Sequence, residues 1–275
     1  MRTASEVSAL VDGVLHGPDR AWARLAPLHE ATGDDLAFHD RGDPGLAGVL
    51  LTRAPLPDRT CVVVADPLAA MCALVEHLHP VTHPPRHPGV VVGEGCEVGE
   101  GTVLFPNVVL YPGTRVGKRC RVHAGTVIGG DGFRFHRGRK VPHVGGVVIG
   151  DDCEIGANCT IDRGFLAPTT LGDRCRLDDQ VHVGHNVRIG DDVYVAAQTG
   201  ISGSVTIGSG TVIGGQVGIA DHATIGRNVR IAAQSGVHGD VPDGATILGT
   251  PARPLAQMRR IYAALRYLPD LVRKS

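Results

Sequence analysis

Aromatic residues are scarce in this chain, 4% of 275 residues with a single tryptophan, so a globular core built on large flat rings is excluded for most of its length. An imbalance of charge is also missing. The formal net charge of −1 removes the basic field by which whole domains bind nucleic acid. No apolar run approaches the roughly 20 residues of a membrane span, which excludes stable membrane insertion through such a helix. The opening MRTASEVSAL lacks the basic-then-apolar order of a secretory leader, and the expected compartment is the cytoplasm. Seven cysteines are present, yet none stands in a CxxC pair, which argues against zinc and against a disulfide framework.

What the chain has instead is glycine, 38 residues of it, and a register of six. An aliphatic residue recurs at Val92, Val98, Leu104, Leu110, Val116, Val122 and Ile128, then at Ile149, Ile155 and Ile161. It resumes at Leu171 and runs without a slip to Val237, giving 22 hexads (7 + 3 + 12). Four residues after most anchors stands a small or branched residue, and five of the seven cysteines (Cys96, Cys120, Cys153, Cys159, Cys175) fall there, as small buried hydrophobes do. A period of six fits neither the 3.6 of a helix nor plain strand alternation, but it is the repeat of a parallel β-helix. Each hexad gives one short strand and one corner, and Gly or Asn supplies the positive φ that a tight corner needs. Three hexads close a coil of 18 residues, and about seven coils at roughly 4.8 Å each make a column of about 34 Å. Residues 18 apart then stack, which puts Gln198, Gln216 and Gln234 in one line as a side-chain amide ladder.

The chain divides into four regions. Residues 1–80 carry no hexads and read as a small α/β domain: a short helix leading into a strand at ASEVSALVDGVLHG, strands at AGVLLT and TCVVVAD, and an amphipathic helix at DPLAAMCALVEHLH. Residues 81–91, VTHPPRHPGVV, read as a proline-rich linker. Residues 92–250 form the β-helix. Residues 251–275 form a closing helix, with Leu255, Met258, Ile261, Leu265 and Leu268 on one stripe and Arg259, Arg260, Arg266, Arg273 and Lys274 elsewhere. The fold class is thus mainly β, a parallel β-helix with an N-terminal α/β domain and a C-terminal helix.

The register breaks twice, and a repeat inserts residues where something besides stacking is needed. One insertion, between Ile128 and Ile149, carries Arg134, Arg137, Arg139 and Lys140; the other adds four residues between Ile161 and Leu171. The basic loop is either a solvated face or a cradle for an anionic group or an acidic protein. Candidate chemistry lies in LDDQVHVGHNVRIG. His185 is the third residue of its hexad, at an outward corner beside Asn186 and near Asp178 and Asp179. His222 sits on the same face, its anchor two coils away at about 10 Å along the axis. An exposed imidazole is often a bystander, but with a pKa of about 6.5 it is suited to take a proton from an attacking amine or hydroxyl.

The hexads, the IGGDGF that opens the first insertion, TIDRG at 160–164, DDQVHVGHNVRIG and the exit GTPARP together resemble the UDP-3-O-acylglucosamine N-acyltransferases of lipid A synthesis. In the N-terminal domain, LHEATGDDLAFHD resembles that family's uridine-binding segment. The resemblance implies a homotrimer of left-handed β-helices with active sites between subunits. It also implies a 3-hydroxyacyl thioester carried on the phosphopantetheine of acyl carrier protein as donor, with no separate cofactor and no metal. The acceptor is the 2-amino group of a UDP-linked glucosamine. Residue by residue, His185 corresponds to the general base, Asn186 to its neighbour, and His222 to a second active-site histidine that supports the oxyanion. Asp178 corresponds to an acidic residue of the same segment, and Phe38 to an aromatic that stacks on uracil. The chain departs from the family pattern at Asp179 and His182, where Asn and Gln are usual, and at HDRGDPG after Phe38, which lacks a second aromatic. Three other readings stand beside this one. They are an acetyl- or acyl-CoA-dependent N-acyltransferase acting on another amino sugar, a metal-dependent hydratase using His182, His185 and His222, and a scaffold without catalysis.

Overall fold

The computed structural model describes residues 2–80, 82–265 and 267, in two compact units that divide between Thr82 and His83. In the first unit, helix α1 (Ala4–Leu10) begins at a reciprocal cap between Thr3 and Glu6, and α2 (Pro67–Leu78) begins where Asp66 accepts from the Leu68 and Ala69 amides. A five-stranded sheet runs in the order Val14–His16, Thr60–Val63, Val49–Thr52, Asp35–Phe38, Arg24–Leu25, with only the first pair antiparallel. Leu36, Val49, Leu51 and Val62 pack with Val7 and Leu74 from the two helices. Strand 35–38 has a polar fastening at its start: buried Asp35 accepts from Arg24, from the Thr32 amide and from the Thr32 hydroxyl. Those bonds, the Thr32 amide first and then the Arg24 guanidinium, hold the carboxyl below its ordinary value.

The second unit converts the six-residue register into winding. Strands of two to five residues run from Val91–Val92 to Gly236–Val237, one for each hexad, and stack into three parallel sheets to which they contribute seven, eight and seven strands, a left-handed parallel β-helix. From Leu104 to Val237 no anchor is more than 4% exposed. The core also accepts threonine at the i+4 position, because the hydroxyls of Thr102, Thr126, Thr199 and Thr211 are used in both directions. Thr102 donates to the Gly117 carbonyl and accepts from the Cys120 amide; Thr199 donates to Gly214 and accepts from Val217.

Stacking is read directly in the pairing. Leu177 pairs with Val195, and Ile201 with Ile219, both 18 apart. Across the first insertion the step grows to 33, as for Ile128 and Ile161, and across the second to 22, as for Ile161 and Val183. The additions of 15 and 4 residues loop out, so the phase of the core is preserved. The glutamine ladder forms with one more rung than expected: Gln198, Gln216 and Gln234 donate in turn to Gln180, Gln198 and Gln216 at 3.0, 2.8 and 2.9 Å. These glutamines also occupy the left-handed corner position at φ near +60°, so that role is not reserved to Gly and Asn.

Two expectations change. The linker set at 81–91 is shorter, because the Pro85 carbonyl accepts from the Leu104 amide and the His87 amide donates to the Leu104 carbonyl, making this segment an edge of the first coil. Proline tolerates that position because an edge strand does not require every amide to donate. The closing helix α3 spans Leu255–Leu265, preceded by an antiparallel pair at Thr246–Leu248 and Arg253–Pro254. Of its expected stripe, Met258 is buried, in contact with Gly249, while Ile261 and Leu265 are exposed. Arg266, Leu268, Arg273 and Lys274 lie outside the described residues.

Candidate active site

His185 follows strand His182–Val183 and turns outward at the corner, half-buried. The corner needs glycine before it, since a Cβ on Gly184 would lie 2.8 Å from the Gly203 nitrogen. Asn186 takes the left-handed conformation, φ +61°, and its carboxamide is engaged at both its oxygen and its nitrogen. Its Oδ1 accepts from the Phe165 amide at 3.0 Å and lies 3.1 Å from His185 Nδ1, while Nδ2 donates to the Ala167 carbonyl at 3.0 Å. Because Oδ1 only accepts, Nδ1 carries a proton, and in the neutral ring Nε2 is then the nitrogen with the lone pair.

The two insertions build the walls around this ring. The first leaves the sheet past Val127–Asp131, makes an exposed hairpin at Phe135–His136 and Arg139–Lys140, and returns through Val141–Gly146. It meets the second insertion in backbone bonds from Val144 to Phe165, Gly145 to Gly164, and Gly164 to Gly146. Approach there is close: a Cβ on Gly164 would lie 1.8 Å from the Ala167 carbonyl oxygen. Arg163 of the TIDRG segment fastens the base of the first insertion by donating to the Gly129 and Pro112 carbonyls. His143 lies within the walls, its ring centroid 5.1 Å from that of His185, and Gly132 and Gly203 both touch the His185 ring closely.

A groove of about 580 Å³ opens from His185 down one sheet, past Gly200, Gly218 and Gly236, which stack 18 apart and leave the outer face without side chains. Its polar end holds His182 and Asp162. His182 Nδ1 meets the Thr160 hydroxyl at 2.8 Å, and Nε2 stands 3.8 Å from Asp162. Burial pushes the Asp162 carboxyl up, against the opposing pull of His182 and His185. A second cavity, about 440 Å³, is shared by His185, Arg134, Asp221 and His222.

The structure thus brings His185, Asn186 and His222 together, although His222 is placed one residue off the expected match. It stacks below Asn186 and Ser204 in the left-handed column, while Gly203 and Asp221 stack below His185. The expected nearness of Asp178 to His185 is not found within one chain. Asp178 lines a separate cavity of about 520 Å³ with His123, Glu154, Asp179 and Tyr194, on another sheet. Seven residues separate it from His185, more than the six that make one side of the prism, so nearness in sequence becomes a different face. Asp179 is engaged there in accepting from the Ala157 amide. Phe38 ends strand 35–38 half-buried, its ring packed on the core of the first unit. Sequence reasoning missed His143, Asp162, Gly132 and Gly203; the breaks in register after Ile128 and after Ile161 were the signals for Gly132, His143 and Asp162, while Gly203 lies in an unbroken run. Among the described residues no cluster of three His, Cys, Asp or Glu has the geometry to hold a metal, and no helix is long and apolar enough to cross a membrane.

Sequence comparison matches residues 96–130, 168–203 and 204–239 to the bacterial transferase hexapeptide family (six repeats), and 146–178 to the hexapeptide repeat of succinyl-transferase. The UDP-3-O-acylglucosamine N-acyltransferase 1 of Gloeobacter violaceus is 40% identical, covering 98% of this chain and 93% of that one. The UDP-3-O-acylglucosamine N-acyltransferase of Pseudomonas fluorescens strain SBW25 is 43% identical over 98% and 92%. Among solved structures, the UDP-N-acetylglucosamine acyltransferase of Campylobacter jejuni superposes with a TM-score of 0.55 at 22% identity, over 62% of this chain and 73% of that one, a likeness of fold alone. That of Francisella novicida gives 0.53 at 25%, over 63% and 67%.

Proposed function

The chain belongs to the family of UDP-3-O-acylglucosamine N-acyltransferases, and we propose that it moves a 3-hydroxyacyl group from the phosphopantetheine thioester of acyl carrier protein to the 2-amino group of UDP-3-O-acylglucosamine, in the cytoplasm, for lipid A synthesis. The observation that carries this reading is the state of His185: Nδ1 is committed to Asn186, and the free Nε2 is the atom left to act as a base beside an open groove. The amine attacks the thioester carbonyl while Nε2 takes its proton. The tetrahedral oxyanion is met by the backbone N–H of Gly203, which makes no hydrogen bond among the described residues, aided by His222. Collapse breaks the carbon–sulfur bond, and the departing thiolate recovers the proton from Nε2, so amide and free thiol are the products.

The glycine-floored groove gives the thioester arm a bed about 14 Å long, three strand spacings of roughly 4.8 Å. Phe38 is the residue we assign to the uracil ring. A homotrimer is supported by the open cavity around Asp178, which its own chain keeps away from His185 and which a neighbouring copy would use. Arg134, Arg137, Arg139 and Lys140 of the hairpin, with Arg259 and Arg260 of α3, supply the positive surface for an acidic carrier protein.

Replacing His185 with Ala is expected to cut transfer about 10²–10⁴-fold, the usual contribution of a positioned base, with an unchanged melting temperature. Near-normal turnover in that variant overturns the assignment. Competition between acyl-carrier and CoA thioesters decides the donor, and a preference for CoA refutes the carrier-protein surface.

A further inference from the structure

We infer that His143 is a positioning residue for this reaction: its buried ring is the wall against which the imidazole of His185 is set. The inference rests on the reading of His185 as the base. His143 is 4% exposed, and neither ring nitrogen has a hydrogen-bond partner among the described residues. A buried polar atom left without a partner is destabilising, and this ring carries two. A site selected only for filling space would hold an apolar residue of similar size.

Its surroundings indicate what the ring does. The last side-chain torsion of histidine is broad and nearly two-fold, so rotation exchanges nitrogens with carbons at little cost unless something blocks it. In His185 such a flip would turn carbon toward Asn186 and remove Nε2 from the groove. Asn186 holds Nδ1 on one side, and Gly203 borders the Cε1 and Nε2 edge so tightly that a Cβ there would lie 2.8 Å from both atoms. The opposite edge is held at Gly132, where an added Cβ would come within 2.6 Å of His185 Cβ, 2.8 Å of its Cδ2 and 2.9 Å of His143 Nε2. His143 backs that edge, tilted 52° to the His185 ring, and is itself held edge-on by Phe165 of the second insertion, with centroids 6.0 Å apart.

Charge fits the same role. Burial holds His143 below the ordinary histidine value. The nearby Val141 backbone, outside hydrogen-bonding geometry, and the Asp131 carboxylate pull the other way, while His185 and Lys140 act with burial. Asp162 and His182 stand beyond His185 in the groove. When turnover places a proton on His185, the wall stays neutral and does not repel it.

The test compares His143→Ala with His143→Gln, which keeps most of the volume and cannot titrate. For His143→Ala, kcat is expected to fall on the order of 10–100-fold with KM within about threefold, the signature of a misaimed reacting group. The glutamine variant should stay within about threefold of the parent in both. Long-range ¹H–¹⁵N spectra of imidazole-labelled protein should report one Nδ1–H tautomer of His185 in the parent and the glutamine variant, and a mixture in the alanine variant. Parental kcat and an unchanged His185 spectrum in His143→Ala overturn the inference, as does a glutamine variant impaired as much as alanine. If His185→Ala itself retains turnover, the base assignment fails separately, and the tautomer spectra still judge the wall.

Discussion

The stretch from Leu171 to Val237 and the stretch from Ile128 to Leu171 are built on the same core, yet they differ in what they spend their surface on. In the first, every step is 18 residues, the corners are filled by a ladder of amides, and one outer column is bare glycine. In the second, steps of 33 and 22 eject two loops that lock onto each other and enclose imidazoles and a carboxyl. Regular coils supply rigidity, a groove and the corner imidazole of His185; the interruptions supply the walls that enclose it. Corners of the regular coils carry the reacting atoms, but the enclosure that aims them is built where the repeat is broken.

That contrast can be broken from either side. The largest effect is expected on activity from Gly203→Ala, since the new methyl would stand 2.8 Å from His185 Nε2 and Cε1. Steady-state assays should show kcat/KM falling on the order of 100-fold or more, with little change in melting temperature because the core is untouched. In the core of the same regular stretch, Ile207→Ala removes a side chain 1% exposed. Denaturant unfolding should register a loss of about 2–5 kcal/mol, while the folded fraction keeps its kcat. The smallest effect is expected from Asp162→Asn. Burial raises the carboxyl of Asp162 from its ordinary value of 3.8, so ionisation opposes folding, and the folded state loses stability as pH climbs through the raised value. The amide carries no such penalty. Melting curves should therefore show the variant gaining on the parent at pH 8 and the gain shrinking toward pH 4; a gain that grows on acidification would reverse the sign and refute the role of burial.

Legibility followed the same division. The winding, the buried anchors, the threonines and cysteines of the i+4 column and the glutamine ladder were readable because a period of six repeats the same local demand 22 times. His185, Asn186 and His222 were readable as a corner group for that reason. Asp178 was misplaced by nearness along the chain, where the prism sends it to another side. His143 and Asp162 were not legible as site residues, since they stand in or beside the excursions, which no period constrains.

By itself the sequence determined the phase of the prism, since only one set of residues can face an aliphatic interior three to a coil. The tertiary structure decided what surrounds the reactive imidazole. Two loops without periodicity close on each other through backbone bonds and glycine-tight approaches, and such contacts are chosen by the whole fold and not by any local pattern.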